Sequence, residues 1–184
     1  MRRARFAASL IVLLASYTPA YAADLAPDWS LVSSTGETVR LSEEVKQQTT
    51  VLFFWATWCP YCKALMPHLQ SIRLEYGDEV EILAINFRED DDPVALMEDA
   101  GYDFTILPDG DAVAATYGVH GTPGVIIVDD QQQIRFDLRK LPKQDPLARS
   151  KEATNHSKKA AYRAPYWAAA IRKGIDDIQD AASK

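Results

Sequence analysis

Cysteine is nearly absent. The 184 residues contain two, Cys59 and Cys62, and no third or fourth completes a disulfide framework or a four-cysteine zinc site. Long apolar runs are missing too: the most hydrophobic stretch, Phe6 to Tyr17, is well short of the roughly 20 residues that span a bilayer as a helix. Positive charge is not in excess. The chain holds 20 Lys and Arg against 26 Asp and Glu, a formal charge of −6, which argues against a nucleic acid or other polyanion as partner. No internal repeat or low-complexity tract suggests an array or a linker. What remains is ordinary globular composition, 47% hydrophobic, 25% charged and 10% aromatic, in a length that suits about one domain. A core of that size does not need a disulfide for stability, so the two cysteines require another explanation.

Met1 to Ala22 reads as a cleavable export signal. Arg2, Arg3 and Arg5 give a positive start, Phe6 to Tyr17 an uncharged, mostly apolar run, and Ala20-Tyr21-Ala22 a small-x-small exit. An uncleaved anchor is the weaker reading because the run is short, and no cysteine follows it to carry a lipid. Without this segment, residues 23–184 hold 17 Lys and Arg against 26 Asp and Glu, a formal charge of −9. The expected location is the periplasm of a Gram-negative bacterium, an oxidising compartment in which a disulfide persists.

Periodicity then alternates strand and helix signals. Leu31 to Leu41 reads as a hairpin around Ser34-Thr35-Gly36-Glu37, and Thr49 to Trp55 as a strand buried on both faces. Cys62 to Tyr76 carries Leu65, Met66, Leu69, Ile72 and Leu74 at near-helical spacing, with Gly77 as a stop. Val80 to Asn86 is a second buried strand. Asp92-Pro93 opens a helix that Gly101 ends, and Ala112 to Tyr117 forms a short one. Gly124 to Asp129 and Gln133 to Leu138 are strands joined by a polar turn. A polar stretch, Lys140 to Lys159, precedes a terminal helix from Tyr162 to Ala182 with Trp167, Ile171, Ile175 and Ile178 on one face. The fold class is α/β, a central mixed sheet flanked by helices, in one domain over residues 23–184. Its core is expected at about residues 28–140, with residues 141–184 a polar segment and a helix packed on the domain or on a partner.

The cysteines lie in Trp58-Cys59-Pro60-Tyr61-Cys62, after a strand and at the opening of a helix. A sulfur there meets unpaired backbone N–H groups and the positive end of the helix dipole, which favours the thiolate. Cys59 is then an exposed nucleophile, and Cys62, one turn deeper, resolves the mixed disulfide. A structural disulfide is the plainer reading, but closing a loop of about four residues stabilises by only roughly 2 kcal/mol, against roughly 3 for fifteen. Half of a metal site, with His68 or His120 as further ligands, is another, weakened by the missing second cysteine pair. Neither a metal nor an organic cofactor is expected; the redox group is the Cys59–Cys62 pair itself. His156 lies in the polar tail.

The run Phe54-Trp55-Ala56-Thr57-Trp58-Cys59-Pro60-Tyr61-Cys62-Lys63, followed by Met66-Pro67 and Gly121-Thr122-Pro123, resembles the thioredoxin superfamily. With the Leu31-x4-Gly36-x2-Val39-x-Leu41-Ser42 hairpin it is similar to the exported TlpA/ResA-type reductases. The resemblance covers about residues 28–140 and implies a thioredoxin-like fold with an N-terminal hairpin extension. It implies that Pro123 is the family's cis-proline beside the active-site pair, an isomer that costs only about 0.5–1 kcal/mol at an X-Pro bond. The backbone of Thr122 is then free to pair with an extended substrate segment. Trp58, Pro60 and Tyr61 border that substrate, Trp55 packs in the core, and Pro67 is the helix-kinking proline. Phe53 stands where thioredoxins themselves carry a buried aspartate. The proton acceptor for Cys62 is expected instead from Glu89, which matches the exported members' glutamate after the second core strand. The plainer alternative takes Arg88 to Asp92 as a solvated charged loop.

The implied activity is thiol-disulfide exchange with protein cysteines, most directly as a reductant of apocytochrome or metallochaperone thiols fed by a membrane electron donor. A disulfide oxidase or isomerase of the same fold is the enzymatic alternative, since Pro60-Tyr61 does not decide direction. A copper- or zinc-binding chaperone, and a redox module that docks a partner through the Trp167 to Ile178 helix, are the readings from other classes.

Overall fold

A computed structural model describes residues 24–142 and 153–183. The export signal read at residues 1–22 lies outside the described residues. The described chain opens with a short antiparallel hairpin, β1 (Ser30–Val32) and β2 (Thr38–Arg40), turned at Gly36, whose φ of 87° is one that favours glycine. Helix α1 (Leu41–Glu44) leads to β3 (Thr49–Trp55), α2 (Pro60–Tyr76) and β4 (Val80–Asn86). Then follow α3 (Pro93–Ala100), β5 (Thr105–Leu107), α4 (Asp111–Thr116), β6 (Gly124–Val128), β7 (Ile134–Asp137) and α5 (His156–Ala182).

The main sheet has the order β5-β4-β3-β6-β7, with β3, β4 and β5 parallel and β6 and β7 antiparallel to their neighbours. The β-branched and aromatic runs of β3 and β4 lie inside the sheet, where all but Thr49 and Glu81 are buried. Alternation divides β3 between two cores. Val51, Phe53 and Trp55 meet Leu65, Met66 and Leu69 of α2, together with Ile171 and Ile175 of α5. Leu52 and Phe54 meet the hairpin, α1 and α4 through Val39, Leu41 and Val113. Fully burying each such side chain contributes about 1.5–3 kcal/mol.

Helix α5 belongs to the first of these cores. It comes close to the sheet at Gly174, where a Cβ would stand 3.0 Å from Ile127 and 3.2 Å from Phe136. Its outer side is tied to the end of α2 by Tyr76 Oη donating to Asp176 (2.6 Å) and by Arg172 donating to Glu75 (2.7 Å).

Several expectations are corrected. Helix α2 starts at Pro60 rather than Cys62, since a proline in the first turn needs no N–H partner and Cys59 supplies the cap. Leu74, read as part of the buried face of α2, is 71% exposed. It sits about 200° around the helix from Ile72 at 3.6 residues per turn. The terminal helix begins at His156, six residues before Tyr162, because Asn155 accepts from Lys158 N–H as its cap. The hairpin strands are shorter than Leu31 to Leu41 suggests, and Leu41 opens α1 instead. The periodicity gives no sign of β5. Among the described residues no helix is long and apolar enough to cross a membrane.

Candidate active site

The site forms at the end of the sheet where the parallel strands β3 and β4 terminate. Cys59 caps α2: its backbone is extended (φ −84°, ψ 107°), and its sulfur accepts from Cys62 N–H at 3.1 Å. Pro60 occupies the first helical position with its ring holding φ near the helical value, and it brings no N–H of its own to the exposed end of the helix. Cys59 and Cys62 form a disulfide with their Cα atoms 5.3 Å apart. Cys59 is 1% exposed, against the expectation of an exposed nucleophile, and Cys62 is fully buried. In the disulfide form both sulfurs lie against the core.

Glu89 braces the loop that leads to Cys59. Its carboxylate accepts from Thr57 N–H (2.7 Å), Thr57 Oγ1 (2.6 Å) and Asn86 Nδ2 (2.8 Å), and from the Asp90 and Asp91 N–H groups (3.0 and 3.2 Å). Burial pushes this carboxyl pKa upward, but the hydrogen bonds from Thr57, Asn86 and Asp90 outweigh it and hold the group below the ordinary glutamate value. Glu89 is therefore an anion fixed between the ends of β3 and β4, two residues from Cys59 through Thr57. It is not part of a freely solvated loop. Thr57 and Asn86 carry this arrangement and were not singled out in the sequence. A polar asparagine closing the apolar run Val80 to Asn86 is the signal that marks the second of them.

Trp58 is 55% exposed and borders the pair, with its indole Nε1 donating to the Arg88 carbonyl at 2.8 Å. On the opposite side of the loop, Tyr61 lies among residues of α5. Its hydroxyl is 3.2 Å from His156 Nδ1, its ring is 6.0 Å from that of Trp167, and the Arg163 guanidinium stands 5.8 Å from the ring centre. His156 is thus the first residue of a helix and a neighbour of the cysteine loop, not a residue of a polar tail.

The Thr122-Pro123 peptide bond is cis. Pro123 immediately precedes β6, whose Gly124 pairs with Phe54 of β3, and this register sets Thr122 and Pro123 at the same end of the sheet as the cysteine loop. Gly124 permits the approach: a Cβ there would stand 2.9 Å from Val119 and 3.2 Å from Phe54. Among the described residues none pairs with the Thr122 N–H. Trp55 is fully buried, and Pro67 lies within α2. Among the described residues no three His, Cys, Asp or Glu side chains gather as metal ligands, so His68 and His120 do not join the cysteines in a donor set.

The family model described as the AhpC/TSA family matches residues 22–137, more than half of the chain. The chain belongs to the AhpC/TSA family. This AhpC/TSA-family chain is 35% identical over 115 residues to thioredoxin-like protein YneN of Bacillus subtilis (strain 168), covering 60% of this chain and 66% of that protein. It is 33% identical over 118 residues to thiol-disulfide oxidoreductase ResA of Halalkalibacterium halodurans, covering 62% of this chain and 66% of that protein. The match thus spans just under two thirds of the length of these curated relatives. In structure the chain is similar to one assigned to thiol:disulfide interchange protein DsbE of Chlorobium tepidum, with a TM-score of 0.54 and 27% identity over 62% of this chain and 82% of that one. StoA from Bacillus subtilis shares the fold, with a TM-score of 0.51 over 61% of this chain and 87% of that one. The architecture is thioredoxin-like, as the sequence motifs imply, with the N-terminal hairpin and a C-terminal helix added to a mixed sheet. Helix α5 lies beyond the segment that the family model matches.

Proposed function

We propose that the protein is an exported thiol-disulfide oxidoreductase of the ResA and DsbE type that reduces disulfides in other proteins of the periplasm. The observation that carries this reading is the disulfide between the N-cap of α2 and its first turn, at the same sheet end as Thr122 and Pro123. In the reduced protein the Cys59 thiolate, favoured by the N-terminal N–H groups of α2, attacks one sulfur of the target disulfide. A Cys59–target bond forms, and the target's other sulfur leaves and takes a proton. Cys62 then gives up its proton and attacks Cys59 Sγ, which re-forms the Cys59–Cys62 disulfide and releases the second target thiol. Two electrons and two protons pass to the target. A dithiol donor at the membrane restores the pair.

Thr122 supports substrate capture, because its unpaired N–H offers an extended target segment a backbone partner. Trp58, Pro60 and Tyr61 border that segment. Glu89 supports catalysis from beneath the loop: as an anion on Thr57 it holds the approach to Cys59 and is the carboxylate assigned to the proton released by Cys62.

Insulin reduction tests the reading. Cys59→Ser abolishes it if the reading holds, and retained activity in that variant contradicts it. Direction is read by acid trapping and thiol labelling in cells: a mostly reduced pair supports the reductant, whereas a mostly oxidised pair transfers the site to the oxidase alternative.

A further inference from the structure

Arg88 has a left-handed backbone, φ 56°, a region that L side chains other than asparagine and aspartate seldom adopt and that glycine enters without steric cost. Residues held this way persist where the surroundings require them, and they concentrate at functional sites. In this conformation Arg88 reaches two loops and the start of α4 at once. Its carbonyl accepts from Trp58 Nε1 (2.8 Å), its N–H donates to Asp111 Oδ1 (3.2 Å), and its guanidinium donates to the His120 carbonyl (2.8 Å). The guanidinium also lies 5.8 Å from the centre of the Phe87 ring. Trp58 is the residue before Cys59, and His120 is two before Thr122. One exposed residue, through its carbonyl on one side and its guanidinium on the other, therefore bridges the cysteine loop and the cis-proline loop.

We propose that Arg88 is a positioning residue for protein substrates: it fixes the separation between the Trp58–Cys59 loop and the His120–Thr122 loop, the slot that an extended cysteine-bearing segment must enter. This rests on the thiol-disulfide exchange reading given above. A segment that pairs with Thr122 while presenting its sulfur to Cys59 needs both loops in register. A small soluble disulfide needs Cys59 alone. Arg88 thus separates the two substrate classes without touching either sulfur. An arginine suits the task because its planar guanidinium can donate to the His120 carbonyl while lying over the Phe87 ring, whereas lysine offers a single flexible point of attachment.

Arg88→Gly isolates the strut, since glycine keeps this backbone and its two backbone hydrogen bonds while removing the bond to His120. The expected result is a roughly tenfold fall in kcat/KM for insulin, carried mainly by KM, with the reaction of the reduced protein with dithiobis(nitrobenzoate) changed by less than about twofold. Arg88→Lys recovers part of the loss. The melting temperature stays level or rises as the backbone is relieved, so a fall in insulin turnover is not a folding defect. Backbone order parameters of His120 to Thr122, measured by NMR without any substrate, drop from the rigid range of about 0.85 towards 0.6. Unchanged insulin kinetics, equal losses on insulin and on the small disulfide, or unchanged order parameters overturn the proposal. If the wild-type protein reduces no disulfide, the oxidoreductase reading fails by itself, and the order parameters still decide whether Arg88 holds the slot.

Discussion

On one side of the Cys59–Cys62 loop, Glu89 accepts five hydrogen bonds and Arg88 links Trp58 to the His120 carbonyl; on the other, Tyr61 rests among His156, Arg163 and Trp167. The first side is polar, made of short directional bonds, and lies within the segment shared with the AhpC/TSA family. The second is aromatic, is held by a single hydrogen bond and ring contacts, and comes from a helix beyond that segment. Directional bonds to partly buried groups fix a geometry and are costly to break, because the abandoned partners lose water as well as each other. Ring contacts are broad and tolerate displacement. The polar side sets the loop, while the aromatic side lets a helix outside the family segment cover one flank of it.

That division is broken or sharpened by substitution. The largest effect concerns α5 itself. If it is core and not appendage, Ile171→Ala, at a fully buried position, costs about 2–5 kcal/mol in urea unfolding. A loss below about 1 kcal/mol places the helix at the periphery, given the usual cost of such truncations. Next comes Glu89→Ala, which strands the Thr57 N–H and the buried Asn86 amide and costs about 1–3 kcal/mol in the same assay.

The pH dependence of Glu89→Gln follows from the charge. Burial opposes ionisation, but the bonds from Thr57, Asn86 and Asp90 prevail, so the carboxyl titrates lower in the fold than in the unfolded chain. Its stabilising contribution is then present above the ordinary glutamate value of about 4.3 and is lost as pH falls through the folded value. The stability gap between wild type and Glu89→Gln narrows from pH 7 towards pH 3 in urea titrations, and a gap independent of pH contradicts the assignment. Asp137, lowered by Arg139 against its own burial, titrates in the same direction and remains in both proteins. The smallest effect is on the aromatic side: Tyr61→Phe removes the contact to His156 Nδ1 and costs less than about 1 kcal/mol, read by thermal melting.

The sequence disclosed the parts whose signals are local. The unbroken apolar runs of β3 and β4, the capping Asp92-Pro93 before α3, and the cysteines between a strand and a helix all announce themselves within a dozen residues. What it hid is either short or remote. Three residues of β5 are too few for periodicity, and Leu74 satisfies a count of apolar residues while missing the buried arc. The Tyr61–His156 contact joins positions 95 apart, and only the docking of α5 on α2 brings them together. Arg88 gave no signal because the residue that usually marks a left-handed backbone is glycine, and here an arginine takes its place. Glu89 was recognisable by its position after β4, but its partners Thr57 and Asn86 emerge only when the ends of β3 and β4 come side by side.

The central claim is that Cys59 attacks and Cys62 releases. Cys62→Ser, incubated with a disulfide-bonded protein substrate and quenched with acid, is the most direct test. The expected product is a stable mixed disulfide that mass spectrometry maps to Cys59 and that wild type does not accumulate. Absence of that adduct from Cys62→Ser, or its appearance at Cys62 in Cys59→Ser, contradicts it.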